Sequence, residues 1–304
     1  MITRFDHRGV QWIDVERPTI EEIEGLVDEF GLGPFVEQEL LSPTAKPRID
    51  LFPSFLYLVL HFPAFRDTHG ELATHEVDLI IAKDAVITVH YESVAAILDF
   101  SRSFETSMLL KRSNVALHSG HILFELSTRL YKSVEDELDS IEDSVAGIEK
   151  EIFNNREKEM VKPISLLTRE VLNHKRIISG QDEVLREFET AGTALFGENF
   201  KGYISSMSAL QFRVSGRVQM LLDTLAALRD TNNSLLTTKQ NETVKNLTVV
   251  ASVLLPMSLV AGLFGMNTNN NPIEGHPLDF WIVIGIIFAF GILTYIFFRL
   301  RKWF

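Results

Sequence analysis

The sequence has 304 residues, no cysteine and a formal net charge of −12. The missing thiols exclude disulfides and thiolate metal sites. The acidic balance excludes a nucleic-acid partner, since phosphate neutralisation needs Lys and Arg, and an acidic surface instead concentrates cations.

The N-terminal stretch Met1-Ile-Thr-Arg-Phe-Asp-His-Arg has no apolar core, so it reads as no signal peptide. Residues 1–115 mix short strands and helices and predict a small α/β layer domain. Val10–Val15 reads as a strand. Pro18–Phe30 reads as a helix with Pro in its first turn and Ile20, Ile23, Leu26, Val27 and Phe30 on one face. Phe55–Phe62, rich in aromatic and branched residues, predicts a buried strand. Val77–Ala82 and Ala85–Tyr91, joined by Lys83-Asp84, predict a hairpin, and Ser93 offers a cap for the helix that follows.

Between 116 and 200 the apolar period changes to helical spacing, predicting an acidic helical hairpin. Leu126, Leu130, Val134, Leu138, Ile141, Val145, Ile148 and Ile152 recur every three or four residues, with Glu135, Asp136, Asp139, Glu142, Asp143 and Glu149 on a solvated opposite face. After Asn154-Asn155, a second helix carries Leu167, Val171, Ile178, Leu185 and Phe188, and the Gly192–Gly197 stretch ends it. His118 and His121, three apart, are too few for a zinc site and read as capping or surface residues.

A stalk helix over 201–246 shows Tyr203, Met207, Leu210, Val214, Val218, Leu221, Leu225 and Leu228. No Pro or Gly after Gly216 stops it before the apolar run 247–264, so one helix from Tyr203 to Phe264 would be about 90 Å long. A helix of that length must pack on copies of itself or on the two preceding helices. The stretch from Asp230 to Leu247 is polar for a packed helix, which suits one that surrounds water.

Leu247–Phe264 is 18 residues without a charge, and Phe280–Phe298 is 19. Both are long enough to cross a hydrocarbon core of about 30 Å. The loop 265–279 between them holds Glu274 and Asp279 and neither Lys nor Arg. Lys239 and Lys245 precede the first span, and Arg299, Arg301 and Lys302 lie in the basic tail 299–304. By the positive-inside rule both ends are cytoplasmic and the loop faces outside. One stripe of the first span steps by three or four through Asn241, Val244, Leu247 or Thr248, Ala251, Leu255, Ser258 and Gly262. It is small or mildly polar except at Leu247 and Leu255. Such a stripe suits a pore wall, and Ala251, Ser258 and Gly262 equally permit close helix packing.

The first span ends in Gly265-Met266-Asn267. That motif at that place, with two spans and a short acidic loop, resembles the signature of the CorA family of divalent-cation channels, in the superfamily that also contains the zinc-linked ZntB branch. The resemblance extends through Thr243–Asn267, including the mid-span Pro256, and is similar over Trp12-Ile13-Asp14, Pro47-Arg48, Ile87–His90 and the basic tail. It implies an α+β cytoplasmic domain, a long helical stalk and two transmembrane helices in a funnel-shaped homopentamer. It further implies residence in a bacterial inner membrane among lipid, Asn267 as an outer selectivity ring, Ser258 where Thr is usual, and Leu255 and Leu247 as hydrophobic gates. The loop departs from the family's Met-Pro-Glu-Leu, reading Asn271-Pro272-Ile273-Glu274.

The chemistry fits a hydrated ion. Mg²⁺ gives up its waters reluctantly, and Asn267 amides with Gly265 carbonyls would hydrogen-bond those waters without stripping them. Rings of Leu247 and Leu255 would gate by dewetting, and Asp230 at the inner mouth would hold the departing cation. The expectation is passive uptake of Mg²⁺, with Co²⁺ and Ni²⁺ as further cargo and Mg²⁺ also regulatory at a site the sequence does not assign. No organic cofactor is implied. The absence of a P-loop motif and of any nucleophile–base pair points away from an ATP-driven pump and from an enzyme. The alternatives are a Zn²⁺ transporter of the ZntB type and a membrane-anchored coiled-coil scaffold that transports nothing.

Overall fold

The computed structural model describes residues 1–7, 9–63, 74–109, 118–266 and 277–301. The chain divides into two units, Met1–Arg229 and Asp230–Phe304.

The first unit contains a six-stranded sheet made of β1 (Ile2–His7), β2 (Val10–Glu16), β3 (Arg48–Leu51), β4 (Phe55–Pro63), β5 (Thr74–Ala82) and β6 (Ala85–His90). Its order is β1-β2-β6-β5-β4-β3. β2 and β6 run parallel, Gln11 opposite Ala85 through Glu16 opposite His90, and every other pair is antiparallel. Every residue of β4 and β6 is buried. That is why both read as continuous apolar runs: helices cover both faces.

On one face lie α1 (Ile20–Phe30) and α2 (Gly33–Leu40), where Ile23, Leu26, Val36 and Leu40 pack on Ile13, Tyr57, Ile80 and Ile87. α1 starts later than the sequence predicts. Thr19 caps it, its Oγ1 accepting the Glu22 N–H at 3.3 Å while Glu22 accepts the Thr19 N–H at 3.0 Å. Pro18 therefore precedes the helix and Ile20 is exposed. Gly31, at φ 63°, ends it in the left-handed region where only glycine is unstrained.

The other face is covered by α3 (Ala95–Leu109) and the longer helices that follow. Trp12 stacks on Phe5 at 4.7 Å and meets Phe100 of α3 at 4.7 Å. α4 (Ser119–Phe153) buries all eight apolar positions expected of it. Its N-terminus is capped by His118, whose Nδ1 accepts the Gly120 N–H at 3.1 Å, while His121 Nδ1 accepts the His118 N–H at 3.4 Å. The two histidines are caps.

The expected second helix is two helices, α5 (Glu157–Ser179) and α6 (Gln181–Phe196), broken at Gly180, and Gly192 lies inside α6. A 3-10 turn (Glu198–Phe200) leads into α7 (Lys201–Phe264), a single helix of 64 residues. Its buried row in this unit is Ile204, Met207, Gln211, Val214, Val218, Leu221, Leu225 and Leu228, alternating three and four residues. Tyr203 and Leu210 give way to Ile204 and Gln211. Gln211 is buried because its Nε2 donates to the Ile178 carbonyl at 3.0 Å, one of the last carbonyls of α5. The acidic face of α4 is largely solvated as expected, with Asp136, Asp139, Asp143 and Glu149 exposed, but Glu135 and Glu142 are half-buried under two arginines of α7. Arg213 of α7 meets Glu135 at 2.6 Å, and Arg217 meets Asp139 at 2.5 Å and Glu142 at 2.8 Å.

In the second unit α7 is followed by α8 (Asp279–Leu300). The apolar part of α7 and all of α8 are long and apolar enough to cross a membrane, as the sequence predicts.

Candidate functional site

The site expected from the sequence lies in the second unit. Ordinary helix chemistry holds the backbone of its polar run: Ser234, Thr237, Thr238, Thr243 and Thr248 each return a hydroxyl hydrogen bond to the carbonyl four residues back, at 2.8–3.0 Å. These bonds satisfy the hydroxyls inside the helix. Pro256 has no N–H, so the i−4 bond to the Ser252 carbonyl is missing in mid-span.

α7 packs on α8 through Met257. A Cβ built on Gly291 would stand 3.1 Å from Met257 Sδ, so only a hydrogen at residue 291 leaves the sulfur its place. At about 100° per residue, Asn241, Val244, Thr248, Ala251, Leu255, Ser258 and Gly262 fall within an arc of roughly 100°. Met257 lies about 150° round the helix from the middle of that arc. The stripe is thus on the side away from the Met257–Gly291 contact. Within the chain Asn241, Val244, Leu247, Thr248, Leu255, Ser258 and Gly262 are exposed and Ala251 is half-buried; Leu247 and Leu255 are 68% and 69% exposed. Asp230 is exposed at the start of this unit.

α7 ends at Phe264, and the Gly265 N–H still donates to the Ala261 carbonyl at 2.9 Å. A Cβ at Gly265 would stand 3.0 Å from that carbonyl oxygen. The turn after the first span therefore brings backbone close to backbone, which explains the glycine of the motif. Met266 is exposed. Asn267 and Glu274 lie outside the described residues. Asp279 is the first residue of α8, and its Oδ1 accepts the Phe280 N–H at 2.6 Å, one of the open donors of the helix's first turn.

Among the described residues no group of three or more His, Asp or Glu side chains is arranged to hold a metal ion. The first unit does contain buried acid–histidine pairs that sequence reading missed. His61 Nε2 lies 3.1 Å from Glu76, His90 Nε2 lies 3.3 Å from Asp14, and His174 Nε2 lies 3.1 Å from Glu137. Two of these six residues, Asp14 and His90, fall in stretches quoted for the family resemblance; nothing in the sequence signals that they meet.

Residues 7–301 match the family model described as "CorA-like Mg2+ transporter protein". The "Cobalt/magnesium transport protein CorA" of Thermotoga maritima is 23% identical over 296 residues, covering 96% of this chain and 83% of that protein. The protein of the same description from Methanocaldococcus jannaschii is 24% identical over 313 residues, covering 98% and 93%. The complete structure of the CorA magnesium transporter from the latter organism superposes with a TM-score of 0.86 at 19% identity, over 99% of this chain and 93% of that one. An α/β sheet domain, a long helix, a second apolar helix and a family match across nearly the whole length lead to one statement: the chain belongs to the CorA family.

Proposed function

We propose that this protein carries Mg²⁺ and related divalent cations across a membrane, by a passive path along the Asn241–Gly262 stripe of the first span. The observation that carries the reading is that stripe: charge-free, small or mildly polar except at Leu247 and Leu255, and on the side of α7 away from the Met257–Gly291 contact with α8. Relatives named for cobalt and magnesium transport support the cargo. Symmetric copies in a homopentamer would put five stripes around one pore, with Gly265, Met266 and Asn267 at its outer mouth and Asp230 at its inner mouth. Asn267 offers an uncharged acceptor to the ion's water shell, which selects without trapping. Leu247 and Leu255 form the dry constrictions. Both termini face the cytoplasm, by the basic flanks of the spans. Two charges moving inward at about −120 mV gain roughly 5–6 kcal/mol, so no chemical fuel is needed.

The test is uptake into proteoliposomes, with Mg²⁺, Co²⁺, Ni²⁺ and Zn²⁺ compared at one membrane potential. Mg²⁺ uptake that follows the potential, and is lost in Asn267→Ala while the assembly stays intact, is the expected result. Uptake of Zn²⁺ alone would move the protein to the ZntB type of activity. No uptake of any ion would leave a scaffold.

A further inference from the structure

Asp78 is fully buried in the middle of β5. Among the described residues its neighbours offer it no free cation. On its own strand and face lies Glu76. On β4 lie Tyr57 and His61, and His61 is paired with Glu76. On β3 lies Arg48, held by Glu39 of α2 at 2.8 Å and by Asp50 at 3.1 Å. Past β6 lies Tyr91, whose hydroxyl is 3.1 Å from Asp78 Oδ2 and 3.3 Å from the Leu40 carbonyl at the end of α2. Among the described residues Asp78 Oδ1 has no hydrogen-bond partner at bonding distance, and neither has the buried Tyr57 hydroxyl on the neighbouring strand, whose pull on the carboxylate is weaker than the opposing effects of burial and Glu76. An ionised carboxylate would not persist there. A proton on Asp78 resolves the geometry, because the acid then donates to Glu76, the acceptor beside it.

Glu76 has its own task. It accepts the Thr44 N–H at 2.7 and 2.8 Å and the Thr44 hydroxyl at 3.0 Å. Thr44 belongs to the Pro43–Pro47 loop, which walls a cleft of about 740 Å³ whose lining also includes His61, His75, Tyr91 and Arg176. We propose that Asp78, Glu76 and Tyr91 form a proton-operated latch that ties the Pro43–Pro47 loop and the end of α2 to the sheet, and that loss of the Asp78 proton releases both.

Two forces act on release. Two adjacent buried carboxylates repel, which loosens Glu76 from Thr44. Tyr91 has one hydroxyl hydrogen, and an ionised Asp78 takes it from the Leu40 carbonyl because charge-assisted hydrogen bonds are stronger. Burial and the Glu76 charge together hold the Asp78 carboxyl well above the usual carboxylate range, while Glu76 itself stays ionised. The folded state therefore keeps a proton that the unfolded state has lost. The folding equilibrium constant falls about tenfold per pH unit from about pH 4 up to the folded transition, then levels off.

The experiment uses the full chain in detergent and reads no transport. Chemical denaturation is followed between pH 4.5 and 9 for the wild type, Asp78→Asn and Glu76→Gln, together with hydrogen exchange of the peptide containing Thr44, corrected for intrinsic rates. The wild type should lose stability relative to Asp78→Asn as pH rises and then run parallel to it. Thr44 exchange should accelerate past that point in the wild type alone. Glu76→Gln, lacking the repelling charge, should reach its plateau at lower pH. Parallel wild-type and Asp78→Asn curves over the whole range overturn the proposal, as does Thr44 exchange that ignores the transition. If Asp78→Asn does not fold, infrared spectra of the wild type decide. A protonated-carboxyl band that vanishes on alkalinisation, at lower pH in Glu76→Gln, supports the latch, and absence of such a band at neutral pH overturns it.

Discussion

At the scale of single residues, a buried histidine adds its own pH dependence to the first unit. His174 on α5 is 2% exposed, faces Glu137 of α4 at 3.1 Å and uses Nδ1 against the Glu170 carbonyl at 3.0 Å. Burial pushes its pKa down, but the Glu137 carboxylate at 3.1 Å and the Glu170 carbonyl outweigh that, and the balance lies above the ordinary histidine value. Such a group contributes stability that is fully present below about pH 6.5 and is lost as pH rises through its folded value. His174→Gln is therefore expected to flatten the pH dependence of unfolding above pH 6.5, measured by denaturant titration at several pH values. His174→Ala, which strands a buried carboxylate, should cost about 3 kcal/mol. None of this was legible beforehand. Glu137 and His174 stand 37 positions apart on two helices, and their types suit a solvated helix face equally well. The His118/His121 pair was legible as capping or surface residues, because two ligands are too few for zinc, and the structure makes them caps.

At the scale of elements, the apolar period placed the helices well wherever the buried row is made of Leu, Ile and Val, as on α4. It placed the start of α7 but misassigned the first part of its buried row, because at Gln211 a polar side chain occupies the row and answers an open carbonyl of α5. Counting apolar residues favours Leu210 there. Gln211→Leu is predicted to destabilise by about 1–2 kcal/mol despite its greater apolarity, since it leaves the buried Ile178 carbonyl with one partner fewer; thermal or denaturant unfolding would show it. The break at Gly180 was hidden for a related reason: a lone glycine inside a helical period is often tolerated. On α8 the contact between Gly291 and Met257 makes a graded prediction. Gly291→Ala needs only a small shift of a flexible thioether, whereas Gly291→Leu should force α7 and α8 apart, with lower thermal stability and yield in detergent. Equal behaviour of the two variants would show that this contact does not hold the spans together.

At the scale of the whole molecule, the order of parts was readable because charge-free runs, basic flanks and the Gly265-Met266-Asn267 motif are local signals. The strand order was not, because β2 pairs with β6 across some seventy positions and no local pattern names a partner. The proposed pore makes two predictions at this scale. Leu255→Asn should wet the constriction and raise flux even at high internal Mg²⁺; unchanged flux, with a probe at residue 255 reporting lipid, would remove that residue from the path. Five acidic subunits should repel one another, and bound divalent ions would relieve the repulsion and hold the closed form, to the extent that they bind it more tightly than the open one. Limited proteolysis with about 10–20 mM Mg²⁺, well above the affinity of weak acidic sites, should then protect the soluble unit. Identical digestion in Mg²⁺ and in chelator would mean that this chain is not regulated in that way.

The parallel pairing of β2 with β6 also sets a timetable for biogenesis. The N-terminal hairpin cannot join the rest of the sheet until His90 has been made, and such non-local closures are among the slower steps in folding, taking milliseconds to seconds. From His90 to Leu247 the ribosome has 247 − 90 = 157 residues still to add. At about 5–20 residues per second that takes roughly 8–30 s. The slowest register in the sheet thus has time to settle before the first lipid-seeking segment leaves the ribosome, so the apolar strands are paired before the chain is handed to the membrane.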